Sequence, residues 1–195
     1  MSDTIEKFKL VVPTLEYKEQ AIEYINEFYE NNSGINGVGG LNRYLDDYEG
    51  WLQKLEEDRH RIPDEEKVPA ETFFFVRKSD NRIIGMVNIR LVLNERLRNS
   101  SGNIGYSIRP TERRKGYNKI NLYLALLECQ KHEMKQVMLD CDKDNLGSAK
   151  TIQALCGKFE KEYLEDKKYN CLVQVYWIDV DYAIKTKKSE FEKYI

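Results

Sequence analysis

Apolar and polar residues alternate along Phe8-Lys9-Leu10-Val11-Val12 and stop at Pro13, which predicts a short strand. From Leu15 to Tyr29 the period lengthens: Ala21, Ile22, Ile25, Phe28 and Tyr29 mark one face of an amphipathic helix. The stretch from Asn31 to Gly40, with Asn36-Gly37-Val38-Gly39-Gly40 at its end, breaks the pattern. Helical spacing resumes from Tyr44 to Glu57 through Tyr48, Trp51, Leu52 and Leu55, and the charged segment from Asp58 to Pro69 reads as a surface loop. Thr72-Phe73-Phe74-Phe75-Val76 and Ile83 to Leu91 are β-forming runs joined by the turn Ser79-Asp80-Asn81-Arg82, so they predict a hairpin. Glu95 to Asn103 reads as a loop and Ile104 to Ile108 as a strand that ends at Pro110. A strongly apolar helix follows, marked by Ile120, Leu122, Tyr123, Leu124, Ala125, Leu126, Leu127 and Met134. Gln136 to Cys141 is a buried strand, Asn145 to Leu155 a helix, Gly157 to Tyr163 a connection or strand, and Cys171 to Tyr182 a final long strand. Strands interleaved with helices in this order predict an α/β fold.

The chain has 195 residues, 41% hydrophobic and 33% charged, which suits one compact soluble domain over residues 1–195. Its formal net charge is −2, so no global field attracts nucleic acid or anionic lipid, and an anion site must be local. Met1 to Lys7 hold no apolar signal core and no apolar run is long enough to span a bilayer, which predicts a cytoplasmic protein without a membrane partner. Cys129, Cys141, Cys156 and Cys171 form no C-x-x-C pair and only two histidines accompany them, so reduced thiols are expected and no metal site.

Against that balanced background one segment concentrates positive charge: Arg113-Arg114-Lys115-Gly116-Tyr117-Asn118, between the Ile108 strand and the long helix. A helix N-terminus presents unpaired N–H groups and the positive end of a dipole. Gly116 permits positive φ and a close backbone approach, and the three cations add to the same field.

This segment resembles the pyrophosphate loop of the GNAT superfamily of acyl-CoA-dependent N-acetyltransferases, which reads Arg/Gln-x-x-Gly-x-Gly/Ala. Arg113 matches the first place and Gly116 the fourth; Asn118 departs at the sixth. The resemblance extends through Ile104-Gly105-Tyr106-Ser107-Ile108-Arg109-Pro110, which looks like the family's splayed strand. It continues through Leu139 to Ser148, Gly85 to Arg90 and Ile35 to Leu41, covers roughly residues 5–182, and is closest to bacterial members described as predicted acetyltransferases. It implies a mixed, splayed β-sheet flanked by α-helices, acetyl-CoA as co-substrate, and an amine acceptor, small molecule or peptide, with residues 31–69 shaping the acceptor site. It places Arg113, Arg114, Lys115, Gly116, Tyr117 and Asn118 at the pyrophosphate, Ile108 and Arg109 along the pantetheine arm, and Asn145 near the pantetheine or phosphate end with Ser148 on the same helix face. The backbone N–H of Ile108 would polarise the thioester carbonyl. A homodimer is compatible with it.

The acid and base stay open. Where many relatives carry a tyrosine, this chain has Ile152, and Tyr106 is the alternative proton donor. Glu71 and Glu95 are the carboxylates nearest the expected substrate half, while Asn103 cannot titrate and His60 and His132 read as surface residues. A non-catalytic acyl-CoA-binding module or sensor is the rival reading. A Walker-type nucleotide site is excluded by the lack of G-x-x-x-x-G-K-[ST], and nucleic-acid binding by the lack of a basic, aromatic-interleaved surface.

Overall fold

A computed structural model describes residues 5–165 and 171–195; Met1 to Thr4, at the chain's polar start, lie outside them. Among the described residues, seven strands fall into two sheets. The first has the order β1 (Phe8–Val11), β2 (Ala70–Arg77), β3 (Arg82–Arg90), β4 (Ile104–Ile108); the second runs β5 (Gln136–Asp142), β7 (Cys171–Asp179), β6 (Lys158–Glu165). Every pairing within them is antiparallel.

The β2–β3 hairpin explains why Phe73 to Val76 is apolar without a break: both faces of this sheet are covered. Phe73, Phe75, Ile84, Val87 and Ile89 join one core, and Phe74, Val76, Ile83 and Met86 join another on the opposite face. A bulge beside Phe75 and Val76 leaves Ile84 as the extra residue of β3. The second core is closed by α1 (Lys18–Glu30) and α2 (Tyr48–Arg59), through Tyr24, Ile25, Phe28, Tyr48 and Trp51. The first is closed by α4 (Tyr117–Lys131), whose Ile120, Leu122, Tyr123, Leu124, Ala125 and Leu126 are all buried. A helix apolar on every side must be enclosed on every side. Here the sheets lie on one side and α5 (Leu146–Ala154) and α6 (Val180–Phe191) on the others, with Tyr123 stacked on Phe191 at 5.1 Å.

Three sequence expectations change. The Glu95–Asn103 segment is not all loop: it holds the short helix α3 (Glu95–Asn99), started by Asn94 accepting from Leu97 N–H and fixed by fully buried Leu97. The last strand does not reach Tyr182, because the Asp179 side chain accepts from Tyr182 N–H and turns the chain into α6. Helix α2 begins at Tyr48 rather than Tyr44, capped by Asp47. The segment from Gly157 resolves as the strand β6.

Among the described residues, the main-chain hydrogen bonding between the two sheets, which share one apolar core, is made at Asn103. Asn103 N–H donates to Met138 O at 2.7 Å, its Oδ1 accepts from Met138 N–H at 2.9 Å, and its Nδ2 donates to Arg90 O at 3.0 Å. Beyond that contact β4 and β5 are not paired, so the sheets splay. Asn103→Ala removes the two side-chain bonds, keeps the main-chain one, and orphans the buried Met138 N–H. The expected cost is about 3 kcal/mol, read as a lower urea midpoint at unchanged slope.

Candidate functional site

The register of β4 decides which main-chain groups are free. Arg90 N–H donates to Asn103 O and Arg109 N–H to Ile84 O, which makes the odd-numbered residues of β4 the ones bonded to β3. The amides of Tyr106 and Ile108 therefore point away from β3, into the splay. On β5 the bonds Val180 N–H to Lys135 O and Lys143 N–H to Leu172 O assign the odd residues to β7. Asp140 and Asp142 then turn their main chain toward the same gap. The site is a cleft lined by backbone from both sides.

At the open end of β4 lies the basic segment. Arg114 (φ +64°) and Gly116 (φ +80°) are both left-handed, and Gly116 is the N-cap of α4. The N–H groups of Arg114, Lys115, Gly116, Tyr117 and Asn118 have no hydrogen-bond partner among the described residues. Five consecutive free amides at a helix start form a concavity suited to an anion. A side chain at Gly116 would meet nothing within 4 Å, so the space above the loop is open, and positive φ alone restricts the position.

The cations there are not equivalent. Arg113 is tethered: Nε donates to Ile108 O at 3.1 Å, Nη2 donates to Ser33 Oγ at 2.8 Å, and the guanidinium lies over the Phe28 ring. Lys115 reaches back to Glu112 at 2.7 Å, and Glu112 also receives Arg77 at 3.3 Å. Arg114 is exposed and has no partner among the described residues. Tyr117 packs on Phe8 at 4.8 Å, which sets the direction of the first turn of α4. Asn118 keeps a buried Oδ1 without a partner, and its Nδ2 is likewise unengaged.

Arg109 has a different fate from the sequence expectation. It is fully buried, with Nη1 2.7 Å from Glu23 and 2.9 Å from Glu27 and Nε on Ile83 O. Glu27 also accepts from the N–H and Oγ1 of Thr111. The guanidinium is thus spent on bolting α1 to the end of β4, and the main chain is engaged as well, its N–H on Ile84 O and its carbonyl accepting from Glu112 N–H. Sequence reading passed over Glu23 and Glu27 because helix carboxylates in α1 look like a solvated face.

Tyr106 crosses the gap: its hydroxyl lies 2.8 Å from Ser148 Oγ in the first turn of α5. Burial raises its pKa, so it stays protonated at neutral pH. Asn145 caps α5, its Oδ1 accepting from Ser148 N–H at 3.1 Å, with Nδ2 left free. Ile152 is fully buried in the core, so no hydroxyl stands at that place. Glu71 is not brought to the cleft. It pairs with His132 at 3.0 Å and with Arg59 at 3.7 Å, and its cross-strand neighbour is Ile89, which pairs with Ile104. Ile104 lies four residues, on the order of 13 Å, from Ile108 along β4. Glu95 is exposed in α3, and His60 is exposed and paired with Glu56.

Two groups near the cleft carry no sequence signal. Ser107 Oγ donates to Asn36 O at 2.5 Å, so its other neighbour, the buried Tyr24 hydroxyl at 3.0 Å, must be the donor in that pair. Asp140 Oδ2 accepts from Ser101 N–H at 2.6 Å, and burial raises its carboxyl pKa.

A model of the acetyltransferase (GNAT) family matches residues 40–157, more than half of the chain. The chain belongs to that family. The fold agrees with solved members at low identity. The ribosomal-protein-S5-alanine acetyltransferase of Vibrio fischeri is 18% identical with a TM-score of 0.68, over 90% of this chain and 94% of its own. The microcin C7 self-immunity acetyltransferase MccE, solved with acetyl-CoA and AMP, is 19% identical with a TM-score of 0.67, over 89% and 92%. The spermidine/spermine N-acetyltransferase SpeG of Vibrio cholerae is 13% identical with a TM-score of 0.64, over 92% and 96%. No curated protein sequence matches the chain.

Glu112 provides a pH test of the loop's support. Burial alone would raise its carboxyl, but Lys115 and Arg77 outweigh burial and hold it below the usual range. A depressed folded pKa contributes stability above the unfolded value and loses it as pH falls through the folded one. Wild type is therefore expected to exceed Glu112→Gln in stability at neutral pH. That difference should shrink below about pH 4, as followed by urea titrations at stepped pH.

Proposed function

We propose that this chain transfers an acetyl group from acetyl-CoA to a primary amine of a small molecule or peptide, as one domain over residues 1–195. The observation that carries the reading is the row of free amides from Arg114 to Asn118, continuous with the unpaired edge of β4. A phosphate-bearing end suits the first and an extended amide-bearing arm suits the second. Arg113, Arg114, Lys115, Gly116, Tyr117 and Asn118 hold the pyrophosphate, chiefly through main-chain donors, with Arg114 and Asn118 Nδ2 as the side-chain groups still free. Ile108, with Asn145 Nδ2 and the Ser148 turn, lines the pantetheine path, and Arg109, whose own groups are spent within the protein, fixes the end of β4 beside it.

Acetyl-CoA, when bound, supplies a thioester already activated toward amines. The chain's part is to orient, polarise and manage protons. Ile108 N–H, aimed into the gap, donates to the carbonyl oxygen as negative charge develops there. The Tyr106 hydroxyl, kept protonated by burial, is the proton source nearest the gap. The family resemblance of the fold to MccE, which was solved with acetyl-CoA, supports the co-substrate. Neighbours that act on ribosomal protein or on spermidine support an amine acceptor without choosing one. The Asn31–Tyr48 segment and α2 shape its pocket.

A second reading, an acyl-CoA-binding module, draws on buried Ile152 and on Glu71 being paired away from the cleft. Thiol release from acetyl-CoA across an amine panel separates the two: binding without release selects the module.

Gly116→Glu places bulk and negative charge over the free amides. Acetyl-CoA affinity by calorimetry is expected to fall at least about tenfold, roughly 1.4 kcal/mol, with an unchanged circular dichroism spectrum. Retained affinity would remove the loop from the reading. Ile108→Pro deletes one N–H that β3 does not use, a change an open strand edge tolerates. Turnover should drop on the order of a hundredfold while acetyl-CoA affinity stays within a few-fold.

A further inference from the structure

We propose that the acceptor is a primary amine bearing an anionic group, phosphate or carboxylate, at the end remote from the amine. This rests on the acetyltransferase reading above and names its substrate class. A cavity of about 1130 Å³ lies between the Ile35–Tyr44 turn, α2, the loop before β2 and the end of β3. Its inner wall is locked to β4. A Cβ on Gly37 would fall 2.4 Å from Gly105 O and 2.5 Å from Tyr106 Cα, and Ser107 Oγ holds Asn36 O. Gly37 thus sits on the strand about three residues, some 10 Å, before Ile108. In this reading an amine presented at Ile108 extends the rest of its molecule past the Gly37 turn into this cavity.

The cavity's charge is uneven. Six cations line it: Arg43, Lys54, Arg61, Lys67, Arg90 and Arg96. The carboxylates are Asp47, Glu57, Asp58 and Glu66, so cations exceed them by two in a chain whose net charge is −2. Setting aside the paired groups leaves four cations, Arg43, Lys67, Arg90 and Arg96, against Asp47, Glu57 and Glu66. Lys54 and Arg61 share Asp58, and Asp47 is occupied in capping α2. Arg43, Lys67, Arg90 and Arg96 have no carboxylate within salt-bridge distance among the described residues. Arg96 spends its Nε and Nη2 on the main-chain Glu66 O, which satisfies hydrogens without cancelling charge. Arg90 ties Nη1 to Ser101 O and Gly102 O, leaving Nε and Nη2 without a protein partner. Asp140 is the anion facing it from β5, itself held by Ser101 N–H. Uncancelled guanidinium groups in a recess focus a positive potential. That field favours an acceptor with an anionic tail and opposes a polyamine.

Three amines of equal length test this: aminohexyl phosphate, aminohexanol and hexanediamine. With acetyl-CoA, wild type is expected to give the phosphate at least a tenfold higher kcat/KM than the alcohol, with the diamine lowest. Arg43→Gln/Lys67→Gln, and Arg43→Gln alone, should narrow the phosphate-to-alcohol ratio. That ratio is internal, so a general loss of activity does not imitate it. Calorimetry of the same amines without acetyl-CoA should show phosphate binding that weakens with added salt. A diamine that equals or exceeds the phosphate in both measurements overturns the inference and leaves acetyl transfer standing. Wild type that fails to bind acetyl-CoA overturns the acetyltransferase reading, and calorimetry still decides the charge preference.

Discussion

Asn103 makes the main-chain hydrogen bond between the two sheets at one end, with none beyond it among the described residues, and the site follows from that. One side chain and its own amide satisfy both main-chain groups of Met138 and the carbonyl of Arg90, so β3, β4 and β5 share a single node. Were β4 and β5 paired along their length, Tyr106 and Ile108 would spend their amides on β5. Because the contact stops at Asn103, those amides stay unpaired within the protein and face a space wide enough for an extended ligand. An unpaired strand edge is ordinarily a liability; inside a cleft it is a preformed row of donors and acceptors.

The same economy governs charge at the loop. The sequence piles Arg109, Arg113, Arg114 and Lys115 near one helix start, yet the fold neutralises or tethers three of them. Arg109 is absorbed by Glu23 and Glu27, Lys115 by Glu112, and Arg113 by Ile108 O and Ser33. What remains for an anion is mainly backbone, five N–H groups held open by two left-handed residues and by the dipole of α4. Main-chain donors cannot change rotamer, which makes the concavity preorganised. The tethered cations fix the loop's shape and leave Arg114 as the adjustable one.

At the Ile35–Tyr44 turn the controlling contact is steric. Gly37 lies so close to Gly105 that it has no room for a side chain, and the Ser107–Asn36 bond pins the turn there. The wall of the cavity behind it is therefore fixed to β4. Its excess of cations over carboxylates distinguishes it from the acidic groove of α1, where Glu19, Glu23, Glu27 and Glu30 gather.

The sequence alone determined the α/β order, the β2–β3 hairpin, the apolar α4 and the loop before it, all of which are local. A helix start with glycine and free amides is recognisable from neighbours in the chain, and Gly116 at positive φ is where the pattern put it. Tertiary structure decided the rest. Whether Arg109 faces a ligand or a carboxylate depends on Glu23 and Glu27, more than eighty residues earlier. Whether Asn103 is a failed base or a clamp depends on Met138. Helix α6 and the exclusion of Glu71 from the cleft likewise follow from partners far along the chain. Periodicity reports how each segment meets water, but only folding says which distant segment replaces that water, and the pairing of charges is settled there.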